Sequence, residues 1–237
     1  MKTYKTLLFD VDDTLLDFGA AERLALRLLF EDENVALTAE IEAYYKEMNQ
    51  RLWRAFEEGT LNREEVVNTR FALLFKAYGI EVDGALLEQK YRSFLEEGHQ
   101  LIDGAYELIR HLHDKYDLYI VTNGVSTTQY RRLTDSALLP YFKSVYVSED
   151  TGFQKPMKEY FDYVFERIPH FAADQALIIG DSLSADIKGG QLAGIDTCWF
   201  NPEMKSNASN IAPTYHIKQL DELYHILNVE RDVLVAR

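Results

Sequence analysis

Asp10, Asp12 and Asp13 place three carboxylates within four positions, directly after the apolar run Thr6-Leu7-Leu8-Phe9. Two carboxylates held ~4 Å apart repel by about 4 kcal/mol at an effective dielectric of about 20. A fold carries such a cluster when a cation neutralises it or one carboxyl stays protonated, or when the side chains merely cap a turn ahead of Thr14. Mg²⁺, a hard cation that takes oxygen ligands, suits the first case. Three more chemistry-bearing groups lie downstream: Thr122-Asn123-Gly124, Lys155-Pro156, and Gly180-Asp181-Ser182 with Asp186 four residues beyond the serine. Pro156 restricts the backbone of Lys155 to an extended conformation. Brought together, these groups suit phosphoryl transfer, with carboxylates holding a metal while Thr122, Lys155 and backbone N–H groups take phosphoryl oxygens.

The elements that must position them can be read from hydrophobic periodicity. Residues 6–9, 118–121, 145–147, 176–179, 197–200 and 215–217 are short apolar runs with β-favouring residues, and helical patterns at 106–115, 127–136, 159–168 and 220–227 fall between or after the later ones. Strands separated by helices imply right-handed crossovers and a parallel sheet. In such a sheet ligands bind beyond the carboxyl ends of the strands, where all four groups fall. From Asp17 to about residue 102 the pattern is helical alone. Tyr45, Met48, Leu52 and Phe56 recur at steps of three and four, as do Val67, Phe71, Leu74 and Tyr78. Asn62 with Glu65 forms a capping box, and Gly59 and Gly79 read as helix stops. The expectation is an α/β fold: a Rossmann-like core of residues 1–16 and 103–237, interrupted by a four- or five-helix domain at 17–102. Arg51, Arg63 and Arg70 are expected as solvated surface charges of that domain, and residues 204–213 as an irregular surface loop.

Composition narrows the partners. The chain has 237 residues, 47% hydrophobic and 13% aromatic, enough for a full core. A formal net charge of −14 repels nucleic-acid polymers and anionic membrane surfaces. Cys198 is the one cysteine, so no intrachain disulfide forms, and no apolar run approaches the ~18 residues of a membrane span. The expected compartment is the cytoplasm, and the expected partner is a small molecule.

FDVDDTL, TNG, the lone KP and GDSLSAD match, in order, the four signature motifs of the haloacid dehalogenase-like hydrolases, and the resemblance spans essentially the whole chain. It implies a Rossmann-like core with a helical cap of the kind shared with phosphoglycolate phosphatases and β-phosphoglucomutases. Carried over, it makes Asp10 the nucleophile that forms an aspartyl phosphate, and Asp12 the general acid/base. It implies a Mg²⁺ ion held by a carboxylate oxygen of Asp10, the backbone carbonyl of Asp12 and the carboxylate of Asp181, with Asp186 supporting them. Thr122, Asn123 and Lys155 would cradle the phosphoryl group. Haloacid dehalogenases themselves lack a carboxylate two residues after the nucleophile, so Asp12 argues against dehalogenation and for a phosphatase. A phosphomutase shares the four motifs, differing in whether water or a sugar hydroxyl accepts the phosphoryl group. A receiver-type switch places its phosphoacceptor on a later strand than its acidic pair and is about half this size.

The cap stretch Leu52-Trp53 … Phe56 … Gly59 … Arg70-Phe71, together with TNGVSTTQYRRL, SEDTGFQKPMKEYFDYVFERIP and GGQLAGIDTCWFN, is similar to bacterial pyrimidine 5′-nucleotidases. This resemblance implies a pyrimidine nucleoside monophosphate as substrate. The alternatives are a small sugar phosphate or phosphoglycolate, or a mutase reaction of the β-phosphoglucomutase kind. A core that grips only the phosphoryl group cannot tell one phosphomonoester from another, so selectivity is expected from the cap. Trp53 and Phe56 offer aromatic faces and Arg70 a donor for a base; helical spacing equally suits the two rings to core packing.

Overall fold

The computed structural model describes residues 2–230. Six strands, β1 (Thr6–Phe9), β2 (Asp117–Thr122), β3 (Ser144–Val147), β4 (Ala176–Gly180), β5 (Asp196–Phe200) and β6 (Tyr215–Ile217), form one sheet in the order β3-β2-β1-β4-β5-β6. Every pairing is parallel. Parallel strands are covered on both faces and read as continuous apolar runs; all four residues of β1 and all five of β4 are buried, as expected for the sheet centre.

Strand order reverses at β1: the chain steps through β2 and β3 on one side and then continues with β4 on the other. That reversal opens a crevice beyond the carboxyl end of β1, where ligands of open α/β sheets bind. Register decides what meets there. Phe9 pairs with Ile120 of β2 and with Ile179 of β4, so Asp10, Val121 and Gly180 stand level at the edge of the sheet. Leu8, Tyr119 and Ile178 pack beneath them in one cluster with Tyr160, Phe161 and Val164.

The chain divides into two compact units. Residues 2–17, 101–126 and 136–230 make the sheet unit; Phe18–Gln100 and Thr127–Asp135 make the helical one. Residues 231–237 of the expected core lie outside the described residues. The helical unit contains α1 (Phe18–Asp32), α2 (Ala39–Glu57), α3 (Arg63–Ala77) and α4 (Gly84–Leu95). Thr38 caps α2, Asp83 caps α4, and the capping box of Asn62 and Glu65 starts α3. Tyr45, Met48, Phe71, Leu74 and Tyr91 meet in its core.

After α5 (Ala105–Leu112), α6 (Ser126–Asp135) differs from expectation. Its pattern suggests a crossover helix of the sheet unit, whereas the body of α6 groups with the helical unit. The reason lies in its polar side chains. Arg132, fully buried, donates from Nε to the carbonyl of Gly98 at 2.6 Å and lies over the Phe18 ring, and Thr128 donates to Glu96 at 3.2 Å. Gly98 itself packs tightly on α1, where a Cβ would stand 2.3 Å from that of Ala21. Among the described residues, no helix is long and apolar enough to cross a membrane.

Candidate active site

Asp10 follows β1 and is 6% exposed, its N–H still bonded to the carbonyl of Ile179 at 3.0 Å. The chain then winds about the carbonyl of Val11, which accepts the N–H groups of Leu15 and Leu16 at 2.9 Å each. This tight turn puts Asp13 at φ 55°, a left-handed conformation that aspartate tolerates better than most side chains. Asp12 and Asp13 are half-buried.

Lys155 is the hub of the site. Its ammonium, 1% exposed as a residue, donates to Asp10 Oδ1 at 2.7 Å, Asp186 Oδ1 at 2.7 Å and the Val121 carbonyl at 2.8 Å. All three of its protons are thereby used. Asn123 holds the lysine's backbone, accepting its N–H and donating to its carbonyl, both at 2.9 Å. Thr122 Oγ1 accepts the N–H of Gly124 at 3.1 Å. Of the residues expected to cradle a phosphoryl group, Thr122 ends β2, and Asn123, which follows it, holds the backbone of the buried Lys155.

Asp186 is 1% exposed and bridges two elements. Oδ1 takes Lys155, and Oδ2 accepts the Ser182 N–H at 3.0 Å. A π-helical turn, Leu183–Ile187, carries it back under the end of β4, capped by Ser182 Oγ accepting from Ala185 N at 3.1 Å. Gly180 makes room: a Cβ there would stand 2.2 Å from Asp186 Oδ2. Gly180 and Ser182 thus support the site from within the same motif, and the small residues flanking Asp181 are their trace in the sequence.

Charge does not balance among these side chains. Asp10, Asp181 and Asp186 each offer an oxygen within 4.8 Å of the others, with Lys155 as their shared ammonium. Burial pushes the Asp10 carboxyl up to about 8; Lys155 opposes the shift, and Asp186 and Asp12 add to it. Asp181, half-buried, is held well above the carboxylate range by burial and by the charges of Asp10, Asp186 and Asp13. For Lys155, burial works against the charged form, but Asp10 and Asp186 outweigh it and keep the ammonium above the usual lysine range. Three carboxylates against one ammonium fit a divalent cation with oxygen ligands. Since Asp186 spends both oxygens on Lys155 and Ser182, Asp10 and Asp181 are the pair best placed to offer theirs.

The three cap candidates lie within the helical unit. Trp53 is half-buried and meets the buried Phe56 edge to face at 5.6 Å, and Arg63 lies over the Phe56 ring. Arg70 corrects the expectation of a solvated charge that could reach a base. It is 4% exposed, donates Nε to Glu88 Oε2 at 2.7 Å and Nη2 to Glu88 Oε1 at 2.8 Å, and gives Nη1 to Asn49 at 3.2 Å. The rings of Tyr91 and Phe71 flank it at 4.7 and 5.2 Å. Desolvation at this depth is bearable only with such a partner, and the partner, Glu88, has no periodic signature that would reveal it in the sequence.

Residues 4–194 match the haloacid dehalogenase-like hydrolase family. The chain is 72% identical over 233 residues to HAD-hydrolase YfnB of Bacillus subtilis, a match covering 98% of this chain and 99% of that protein. It is 43% identical over 226 residues to pyrimidine 5′-nucleotidase PynA of Streptococcus pneumoniae, covering 95% of each. The magnesium-bound crystal structure of YfnB superposes with a TM-score of 0.93 at 71% identity, over 96% of this chain and all of that one.

Proposed function

Because this chain belongs to the haloacid dehalogenase-like hydrolases, we propose that it is a Mg²⁺-dependent phosphomonoesterase, specifically a 5′-nucleotidase for pyrimidine nucleoside monophosphates. The observation that carries the reaction is the pairing of Asp10 with Lys155 at 2.7 Å beside the further carboxylates of Asp181 and Asp186. The substrate rests on the likeness to PynA.

In this reading Asp10 is the nucleophile. Lys155, and a divalent cation when bound, favour the charged form of Asp10 against its burial; the carboxylate oxygen then forms a bond to phosphorus, and the bond to the ester oxygen breaks. Asp12 protonates the departing nucleoside oxygen, then takes a proton from the water that cleaves the aspartyl phosphate, releasing inorganic phosphate and restoring Asp10. Such a positioned acid/base contributes roughly 10²- to 10⁴-fold. Thr122 donates to a phosphoryl oxygen, and Lys155, fixed by Asn123, supplies positive potential without needing to move. Asp10, the Asp12 carbonyl and Asp181 would hold Mg²⁺, which when bound offsets the charge of the carboxylates and of the phosphoryl group. Asp186 keeps Lys155 and Ser182 in place around them. A nucleotide pool and a chain with a single, buried cysteine both suit the cytoplasm.

Phosphate release measured over uridine and thymidine monophosphates, phosphoglycolate, hexose phosphates and p-nitrophenyl phosphate tests the proposal. Preference for the pyrimidine nucleotides is expected. Equal or greater kcat/KM on phosphoglycolate or a sugar phosphate would replace the substrate assignment, and transfer to a sugar hydroxyl in place of water would make the enzyme a mutase. No release from any phosphomonoester in Mg²⁺ would overturn the reaction itself.

A further inference from the structure

We propose that Trp199 is a positioning residue for Asp181, holding the backbone of this carboxylate against the repulsion of its neighbours; the inference rests on the metal reading above. Asp181 lies one residue beyond β4, past the point where the sheet ladder fixes the backbone. Gly180 is the last residue of β4 paired with β5, and its partner is Trp199 itself. From that position the indole Nε1–H donates to the carbonyl of Asp181 at 2.8 Å. A side chain thus continues the ladder by one hydrogen bond where the strand has ended.

The need for such a bond follows from the charges. Among the described residues, the hydrogen bonds and ion pairs that hold Asp10 and Asp186 have no counterpart at the Asp181 carboxylate. It sits within 4.8 Å of oxygens of both Asp10 and Asp186, so the charged form that a cation would need is opposed by its neighbours. An anchor on its own carbonyl holds the backbone without using a carboxylate oxygen.

The anchor is itself rigid. Trp199 is 5% exposed, and its outer neighbour on β6, His216, stacks on the indole at 4.7 Å between ring centroids with 23° between planes. Their positions are fixed by strand register, since Trp199 pairs with His216. An indole gripped by two strands and a stacked ring loses little freedom on making its hydrogen bond. Groups that orient a metal ligand from behind typically alter metal affinity by roughly ten- to a hundredfold when removed.

The test is Trp199→Phe, which keeps an aromatic ring beside His216 and removes the indole N–H together with part of the bicyclic ring. Mg²⁺ affinity is measured by calorimetric titration and by the Mg²⁺-dependent shift in melting temperature, alongside circular dichroism of the metal-free protein. Expected is about a tenfold weaker Mg²⁺ affinity in a folded variant. A second measurement leaves Trp199 intact. Trp53 is the other of the two tryptophans, so Trp53→Phe isolates Trp199 emission, which should change in intensity as Mg²⁺ binds. Unaltered Mg²⁺ affinity in a folded Trp199→Phe protein overturns the inference. So does flat Trp199 emission during a titration in which calorimetry shows Mg²⁺ binding, and this criterion holds even if Trp199→Phe does not fold. A wild-type protein that binds no Mg²⁺ would instead remove the metal reading on which the inference stands.

Discussion

Asn123 holds Lys155 by both ends of its backbone, accepting the lysine N–H through Oδ1 and donating to its carbonyl through Nδ2, each at 2.9 Å. The clamp joins the end of β2 to a loop 32 residues later and thereby sets where the ammonium stands. Asn123→Ala should leave two backbone groups of Lys155 poorly satisfied, costing about 2 kcal/mol of stability. Displacement of the lysine should lower kcat by roughly a hundredfold. Denaturant unfolding and steady-state kinetics on one preparation check both; unchanged kcat in a destabilised variant would confine Asn123 to a structural task.

Lys155 sits between two buried carboxylates, and removing it should be costlier than removing one of them. Lys155→Met is expected to lose about 3–5 kcal/mol, because Asp10 and Asp186 remain buried without a counter-charge. Adding Asp186→Asn should recover part of that stability while leaving phosphatase activity absent. Chemical denaturation in chelator, where no metal can substitute for the ammonium, is the measurement, and a double variant no more stable than Lys155→Met would contradict the account.

Arg70 and Glu88 form a bidentate pair inside the helical unit. Arg70→Ala should destabilise by about 3–5 kcal/mol, whereas Arg70→Met with Glu88→Met should be close to wild type, since an apolar pair of similar volume replaces a desolvated ionic one. If Arg70 instead reads a base, the double variant would be stable yet lose kcat/KM on uridine monophosphate selectively, with p-nitrophenyl phosphate hydrolysed as before.

Glu222 accepts the N–H groups of Lys218 and Gln219 at 2.7 and 2.9 Å, and these bonds hold its carboxyl below the ordinary glutamate value. The native state therefore favours the charged form. Its contribution to stability is present above the unfolded-state pKa and is lost as pH falls through the depressed native one. The difference in melting temperature between wild type and Glu222→Gln should be largest near neutrality and shrink toward zero below pH 4, roughly. A difference independent of pH would show that the carboxylate charge is irrelevant there.

Much of this protein was written locally. The apolar run of residues 6–9 and its abrupt ending in Asp10 appear as a fully buried β1 with Asp10 at its tip, because a strand covered on both faces admits no polar residue until it leaves the sheet. The capping box of Asn62 and Glu65 forms as spaced, since its four partners lie within one helical turn. Asp10, Thr122 and Asp181 at the ends of strands, and Lys155 in the loop between α7 (Ser148–Thr151) and α8 (Lys158–Glu166), were likewise visible, because each follows an apolar run or stands beside a proline.

What the chain alone left undecided depends on groups far apart in sequence. Arg132 looks like any charge on an amphipathic helix until the carbonyl of Gly98 takes its Nε–H and draws α6 into the helical unit. Arg70 looks solvated until Glu88, 18 residues on, neutralises it in the interior. Asn123 shows nothing in the sequence of its tie to a lysine 32 residues on, whose backbone its side chain clamps. Local pattern determines which residues enter strands and helices, because burial and backbone bonding are decided over one or two turns. The partner of a buried charge is decided only when register and packing bring distant segments within about 3 Å, the range over which a hydrogen bond acts.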